Sequence, residues 1–330
     1  MHIDPLVTIV CLTYNEEDFV RDALNSFLSQ KTEFSYEVLV YDDASEDHTP
    51  EILQEYAEKF PNVFHLTLYK ENNFKKGLGF WGLREGFREA RGKYIAYCEG
   101  DDYWCDDHKL EKQVKFLEAN PEYAVCAHET LIRNDYYKAN DGVLFSTTDV
   151  NIFLDRAKKR CYTFQDALTG NIFHISSIMF RNNAPIIWPI WISKVAALDM
   201  VLFMLLAERG PIYVMADVMS VYRYRKNSIT STPVGDFRNA ISFIEASVQI
   251  LIGMDKYWQY KYHFLITSII SRYYMRAAFV CLSKSGRNMR GAFLYLKRAY
   301  LYNNHIFWKY LYIESKNKLH KHIDRLLSMC

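Results

Sequence analysis

The chain lacks an apolar run long enough to cross a bilayer uninterrupted. About 18 consecutive apolar residues are needed, and the nearest stretch, 264–282, is broken by Arg272 and Arg276. No basic segment followed by an apolar run opens the sequence, so no signal peptide is expected. The seven cysteines (Cys11, Cys98, Cys105, Cys126, Cys161, Cys281, Cys330) are scattered and form no CxxC pair. Several fall in apolar strand-like runs, where a free thiol acts as a small hydrophobe, and a reducing cytosol is the expected compartment. There is no GxGxxG after the first apolar run and no GxxxxGK[ST], so neither usual glycine-rich phosphate cradle is present. Internal repeats and low-complexity segments are also absent.

Acidic residues are nearly missing from one end. Residues 256–330 hold fourteen Lys and Arg against Glu314 and Asp324, a net charge of +12, while residues 1–255 carry −11. The overall charge of +1 hides this asymmetry. A basic appendage that meets something anionic is expected. With half of its 330 residues hydrophobic and 24% charged, the chain is globular and long enough for one large domain or two smaller ones.

Short apolar runs alternate with helix-period segments. Strands are expected at 6–12, 36–41, 63–69, 94–98 and 123–127. Helices are expected at about 17–30, from Thr49 as N-cap with Pro50 next to 60, up to about 90 after a linker bearing Gly77, Gly79 and Gly82, and at 109–120. Residues 129–160 read as an irregular excursion. A short helix at 164–168, a strand at 176–180, a buried helix at 196–207 and strands at 212–215 and 218–224 follow. From 236 onward the segments 237–252, 257–282, 290–302 and 306–328 look helical, aromatic and basic. Strand–helix alternation predicts an α/β fold, a doubly wound and mostly parallel sheet flanked by helices, with a helical C-terminal extension. The expected domains are 1–235 and 236–330.

Three polar clusters follow expected strand ends: 13–16, 42–47 and 99–102. Ligands in open α/β sheets bind past the carboxyl ends of strands. Glu99, Asp101 and Asp102 repel one another unless a cation or hydrogen-bond donors compensate. With no glycine-rich loop to hold phosphates, a hard divalent cation, Mg²⁺ or Mn²⁺, is the natural compensator. Taken alone, the same residues read equally well as a solvated acidic turn.

Residues 6–225 resemble family-2 glycosyltransferases of the GT-A fold, of the bacterial surface-polysaccharide type. The resemblance rests on Thr13-Tyr14-Asn15-Glu16, Asp42-Asp43-Ala44-Ser45, Gly92-Lys93-Tyr94-Ile95-Ala96 and Glu99-Gly100-Asp101-Asp102-Tyr103-Trp104, with further likeness at 109–121 and 169–177. It implies that Tyr14 stacks on a nucleotide base, with Glu16 in the same nucleotide-binding motif. Asp42 and Asp43 would bond base and ribose, Asp101 would contact ribose, and Asp102 would hold the metal on the diphosphate. Glu99 stands where many relatives carry the first Asp of a DxD. Asp199, an acid in an otherwise apolar helix, matches the general base, although Leu198 departs from the usual preceding residue. Arg225 occupies the place of a His found in many relatives and would pair with the diphosphate. Trp104 and His174 are candidate acceptor contacts, against a core role for each; Lys75, Lys76 and Arg84 are weaker phosphate candidates.

The activity implied is metal-dependent inverting transfer of a sugar from a nucleotide-diphosphate donor, UDP- or dTDP-linked, to a glycan or lipid-linked acceptor. The basic segment 256–330 would rest on an anionic membrane at its cytoplasmic face or cap the fold; no nucleic-acid module is present. A sugar-nucleotide nucleotidyltransferase and a decayed binding subunit are the rival readings.

Overall fold

The computed structural model describes residues 4–134, 143–144, 160–170, 172–194, 197–224, 237–282, 288–309 and 312. The chain separates into two compact units, residues 1–231 and 232–330.

The first unit alternates as expected through its first half. β1 (Val7–Thr13), α1 (Val20–Leu28), β2 (Tyr36–Asp42), α2 (Thr49–Lys59), β3 (Phe64–Leu68), α3 (Trp81–Glu89) and β4 (Tyr94–Tyr97) follow in order. Then come β5 (Tyr103–Trp104), α4 (Lys109–Ala119), β6 (Val125–Asn134), β7 (Val143–Leu144), β8 (Cys161–Tyr162), α5 (Phe164–Ala167), β9 (Met179–Arg181), α6 (Leu198–Ala207) and β10 (Ile212–Tyr224). The strands form one sheet in the order β3-β2-β1-β4-β9-β6-β10-β5, with β7 beside β6 and β8 beside β10.

β3, β2, β1 and β4 run parallel, in the register Thr13↔Asp42 and Val10↔Tyr97. Strand order reverses around β1: β2 and β3 lie on one side and β4 on the other. In open α/β sheets ligands bind at such a switch point, past the carboxyl ends of the strands, here those of β1, β2 and β4. The expected mostly parallel sheet with flanking helices is found, but β9 runs antiparallel to both β4 and β6. The strand foreseen at 176–180 splits into a 3-10 helix, Ile175–Ser177, and this short strand.

Other boundaries moved for local reasons. Thr49 is the first residue of α2; the N-cap position is His48, and the Asp47 carboxylate just before it accepts the Thr49 amide at 2.9 Å. Gly82 belongs to α3 rather than to a linker, because a Cβ there would stand 2.8 Å from Tyr41 Cβ and hold the helix off the sheet. The strands foreseen at 212–215 and 218–224 are one strand, β10, with register shifts between Met215 and Ser220.

The second unit holds α7 (Phe237–Tyr257), α8 (His263–Leu282) and α9 (Met289–Tyr302), the helices expected there; the one foreseen at 306–328 falls mostly outside the described residues. α8 packs on both α7 and α9. Small residues permit a close approach: Ser271 donates to the Ala299 carbonyl at 2.9 Å, and Ala292 and Ala299 are buried. α8 has the length and apolarity of a membrane-crossing helix, yet 67% of its most apolar window is buried inside the fold, as in a core helix.

Lys109, at the start of α4, is fully buried in the first unit. Its ammonium donates to Gln113 Oε1 at 2.7 Å and lies 4.0 Å from the centre of the Trp104 ring. Burial, which penalises the charge, pulls its pKa down to about 7. The unfolded chain therefore keeps a proton the folded chain gives up between pH about 7 and about 10. Stability from this group must rise with pH across that window, by up to about 4 kcal/mol. Urea unfolding of the wild type and of Lys109→Met at a series of pH values is expected to show the rise only in the wild type. Parallel pH profiles would mean that Lys109 stays charged in the fold.

Candidate active site

The three polar clusters meet at the carboxyl edge of β2-β1-β4. The Asp43 amide donates to the Thr13 carbonyl at 3.0 Å, and the Gly100 amide donates to the Leu12 carbonyl at 2.9 Å. Two residues in these turns have positive φ, Asn15 at 52° and Ala44 at 61°. A left-handed alanine is costly and persists only where its surroundings fix it. They do: Ser45 Oγ accepts the Asn15 amide, Asn15 Oδ1 accepts the Glu46 amide and Thr49 Oγ1 accepts the Glu16 amide, each at 2.8 Å.

Asp42 is buried. Its Oδ1 accepts the hydroxyls of Thr13 at 2.9 Å and Ser45 at 2.6 Å, and its Oδ2 accepts the Ser45 amide at 2.9 Å. Asp43 binds the next loop, accepting the Asn73 amide at 2.8 Å, the Asn73 side chain at 2.9 Å and the Phe74 amide at 3.0 Å. Tyr14 is half-buried, with Lys75 Nζ 5.3 Å from its ring centre. Arg84 stacks on Trp81 at 4.7 Å, and Lys76 pairs with Glu71.

Glu99, Asp101 and Asp102 each bring a carboxylate oxygen within 4.8 Å of the others. Asp102 is fully buried; its Oδ1 accepts the Arg223 amide at 3.0 Å. Its Oδ2 is buried with no hydrogen-bond partner among the described residues. Burial first, then repulsion from Asp101 and Glu99, pushes its carboxyl well above the ordinary range, although the Arg223 amide and the nearby Ser176 hydroxyl favour the ionised form. His174 Nδ1 stands 3.5 Å from Oδ2. Burial holds that imidazole down to about 3, so at neutral pH the contact is dipolar and not an ion pair. Three clustered carboxylates, their mutual repulsion and a buried oxygen of Asp102 without a hydrogen-bond partner among the described residues have the chemistry of a site for a hard divalent cation.

Arg223 is the site residue the sequence reading missed. It is buried, donates to the Asp101 carbonyl at 3.0 Å, pairs with Asp22 of α1 and lies over Tyr103 at 4.6 Å. The available signal was a charged residue within an aromatic, β-branched strand. Trp104 lies in the core under the turn, edge-on to Phe27 at 4.9 Å, with its indole N–H donating to the Ser176 carbonyl at 3.0 Å. His174 is buried against Tyr222 at 4.3 Å and hydrogen-bonds Ser176 Oγ at 2.6 Å. Asp199 sits in the first turn of α6, its Oδ1 accepting the Met200 amide at 2.8 Å. Phe203 of α6 packs on Phe173 at 4.3 Å, next to His174, which ties that helix to the segment facing Asp102. Arg225 lies outside the described residues.

Gly100 lets the acidic turn close: a Cβ there would collide with the Glu16 carboxylate and stand 2.6 Å from Thr13 Cγ2. Gly100→Ala is expected to cost about 1–3 kcal/mol of stability; if the acidic turn takes Mn²⁺, the wild type should melt higher with Mn²⁺ present and Gly100→Ala should not. Asp102→Asn removes a buried repelling charge; the metal-free protein should melt at or above the wild-type temperature, with no response to Mn²⁺. A full Mn²⁺ response in Asp102→Asn would take Asp102 out of the metal role.

A family model described as glycosyl transferase family 2 matches residues 8–181. An uncharacterized protein of Mycobacterium tuberculosis is 34% identical over 236 residues, 70% of this chain and 62% of that protein. The putative teichuronic acid biosynthesis glycosyltransferase TuaG of Bacillus subtilis is 28% identical over 231 residues, 69% of this chain and 82% of that one. Among solved structures, S. aureus TarS 1-349 in complex with UDP-GlcNAc superposes with a TM-score of 0.54 at 14% identity, covering 92% of this chain and 91% of that one. The mannosyltransferase PcManGT from Pyrobaculum calidifontis, in complex with GDP-Man and Mn²⁺, gives 0.52 at 18% identity, covering 91% and 87%. At these identities the structural likeness shows the fold, the GT-A arrangement. With the family model spanning more than half of its length, the chain belongs to glycosyl transferase family 2.

Proposed function

We propose that this protein transfers a sugar from a nucleoside-diphosphate sugar to a hydroxyl of a glycan or lipid-linked acceptor, with inversion and with bound Mg²⁺ or Mn²⁺. The observation that carries the reading is the turn Glu99–Asp102. It stands at the sheet's switch point and holds a buried carboxylate oxygen without a hydrogen-bond partner among the described residues.

Tyr14 offers a ring for the base, and Glu16 closes the same turn. Asp42 and Asp43 each already accept three hydrogen bonds from the loops they order. A carboxylate has about four acceptor positions, so each retains room for one donor from base or ribose. Asp101 is the further ribose contact. Asp199 accepts the acceptor hydroxyl's proton as its oxygen attacks the anomeric carbon. The bond from that carbon to the diphosphate breaks, and the nucleoside diphosphate leaves with the electron pair. A bound divalent cation supplies charge neutralisation on that leaving group. Trp104 and His174 support the floor of the site, and Arg225 is assigned to the diphosphate. UDP- and dTDP-sugars remain the favoured donors. GDP-mannose, bound by a protein of the same fold, belongs in any screen.

The six described cysteines are free thiols, which fits a reducing compartment. A basic segment against the cytoplasmic face of an anionic membrane would bring this site to a lipid-linked acceptor.

The test pairs binding with turnover. UDP, dTDP and GDP are titrated with and without Mn²⁺, and release of nucleoside diphosphate from the matching sugar donor is followed. Asp199→Asn is expected to keep the nucleotide affinity of the wild type within about twofold and to lose at least about a hundredfold in release rate. Unchanged turnover would place the base elsewhere, and no metal-dependent binding of any of these nucleotides would end the donor assignment.

A further inference from the structure

α9 is apolar on both sides, although among the described residues only one side is covered. Ala292, Tyr295 and Ala299 face α8 and are buried. Met289, Phe293, Leu294, Tyr300 and Leu301 are exposed, at 73%, 72%, 46%, 45% and 70%. At about 100° per residue the exposed set falls within an arc of about 140°, opposite the buried one. An apolar stripe of this kind, on a helix whose other face is satisfied, marks an interaction surface.

Charge says what kind of partner fits. Arg290 and Lys297 are exposed in the middle of that arc. Arg298, by contrast, points into the unit, lying 3.5 Å from Glu245 of α7 and over the rings of Tyr274 and Tyr295. From 256 through 312 the sequence has ten Lys and Arg and no Asp or Glu. A second copy docking on the same face would set Arg290 and Lys297 against their own copies, with no acid on α9 itself to offset them. A surface with anionic headgroups over an apolar layer accepts both features: the long Lys and Arg stems lie along the apolar boundary and their charges reach the phosphates. Trp308 and Tyr312, exposed beyond the end of α9 at 61% and 60%, add side chains that favour a water–membrane boundary.

We propose that the outward face of α9, built on Phe293, Leu294, Lys297, Tyr300 and Leu301 with Arg290, docks on the surface of an anionic lipid bilayer. This deepens the reading of a membrane-held acceptor and rests on it for its purpose. Binding is measured without donor or acceptor, so its failure leaves the transferase assignment untouched.

The full chain is sedimented with vesicles of phosphatidylcholine alone and of phosphatidylcholine with phosphatidylglycerol, at low salt and at about 0.5 M salt. The wild type is expected to bind only the phosphatidylglycerol vesicles, and less at high salt. Arg290→Glu with Lys297→Glu should lower partitioning about tenfold or more, and Phe293→Ser with Leu301→Ser should lower it comparably. All these positions are exposed, so the melting temperature should stay within a few degrees; Lys297→Gln alone, a milder change, should lose a few-fold. Wild-type levels of binding in the variants would overturn the assignment of this face, and no binding by the wild type would overturn the lipid partner. A concentration-dependent dimer abolished by Phe293→Ser would give the face to a second copy. A sharp fall in melting temperature with no vesicle binding would mean that the chain itself covers it.

Discussion

Three carboxylates held within one turn set the terms for the first unit. Glu99, Asp101 and Asp102 repel one another, and Asp102 is fully buried. Such an arrangement is unstable by itself and is useful for that reason, because a cation or a proton lowers its energy. The surroundings compensate it only in part, the Tyr97 hydroxyl donating to Glu99 Oε1 at 3.3 Å. The Arg223 amide satisfies one oxygen of Asp102, and the imidazole nearest the other is kept neutral by its own burial.

The scaffold that holds this turn is built from close fits and from caps shared between loops. Gly100 lies against Glu16 and Thr13, and Asp42 joins the ends of β1 and β2 through Thr13 and Ser45. Arg223 reaches from β10 to the acidic turn and on to Asp22 of α1, so elements far apart in sequence share one anchor. Under the turn, Trp104 links α1 and the 3-10 helix through Ser26 and Ser176. Lys109 fills the space against its ring. A buried ammonium with a lowered pKa is an expensive support. Its hydrogen bond to Gln113, which in turn donates to the Cys126 and Ser177 carbonyls, shows what it helps to order.

The second unit follows different rules. Its helices approach through Ser271, Ala292 and Ala299, and α8 is buried along most of its length although it is apolar enough for a bilayer. The outer side of α9 keeps large apolar side chains in water beside Arg290 and Lys297. The two parts of the chain carry opposite net charges, −11 and +12, so the acidic turn and the basic helices attract ions of opposite sign.

Much of this was legible in the sequence. Period-2 and period-3.6 patterns are local, and so are the turn residues that follow each strand; they determined the alternation of strands and helices, the three polar clusters and the helical C-terminal region. The acidic turn could be read for the same reason, since its three carboxylates fall within four consecutive residues. What tertiary structure alone decided depends on pairings between distant residues. The reversal of β9 is one, because the direction of a short strand is set by how the chain enters the place between β4 and β6. The burial of Lys109 is another: an amphipathic helix pattern says nothing about which neighbours close over its first turn. Arg223 is the clearest case. Its identity was visible, but its role comes from three partners, at positions 22, 101 and 102, that only the folded sheet brings to it.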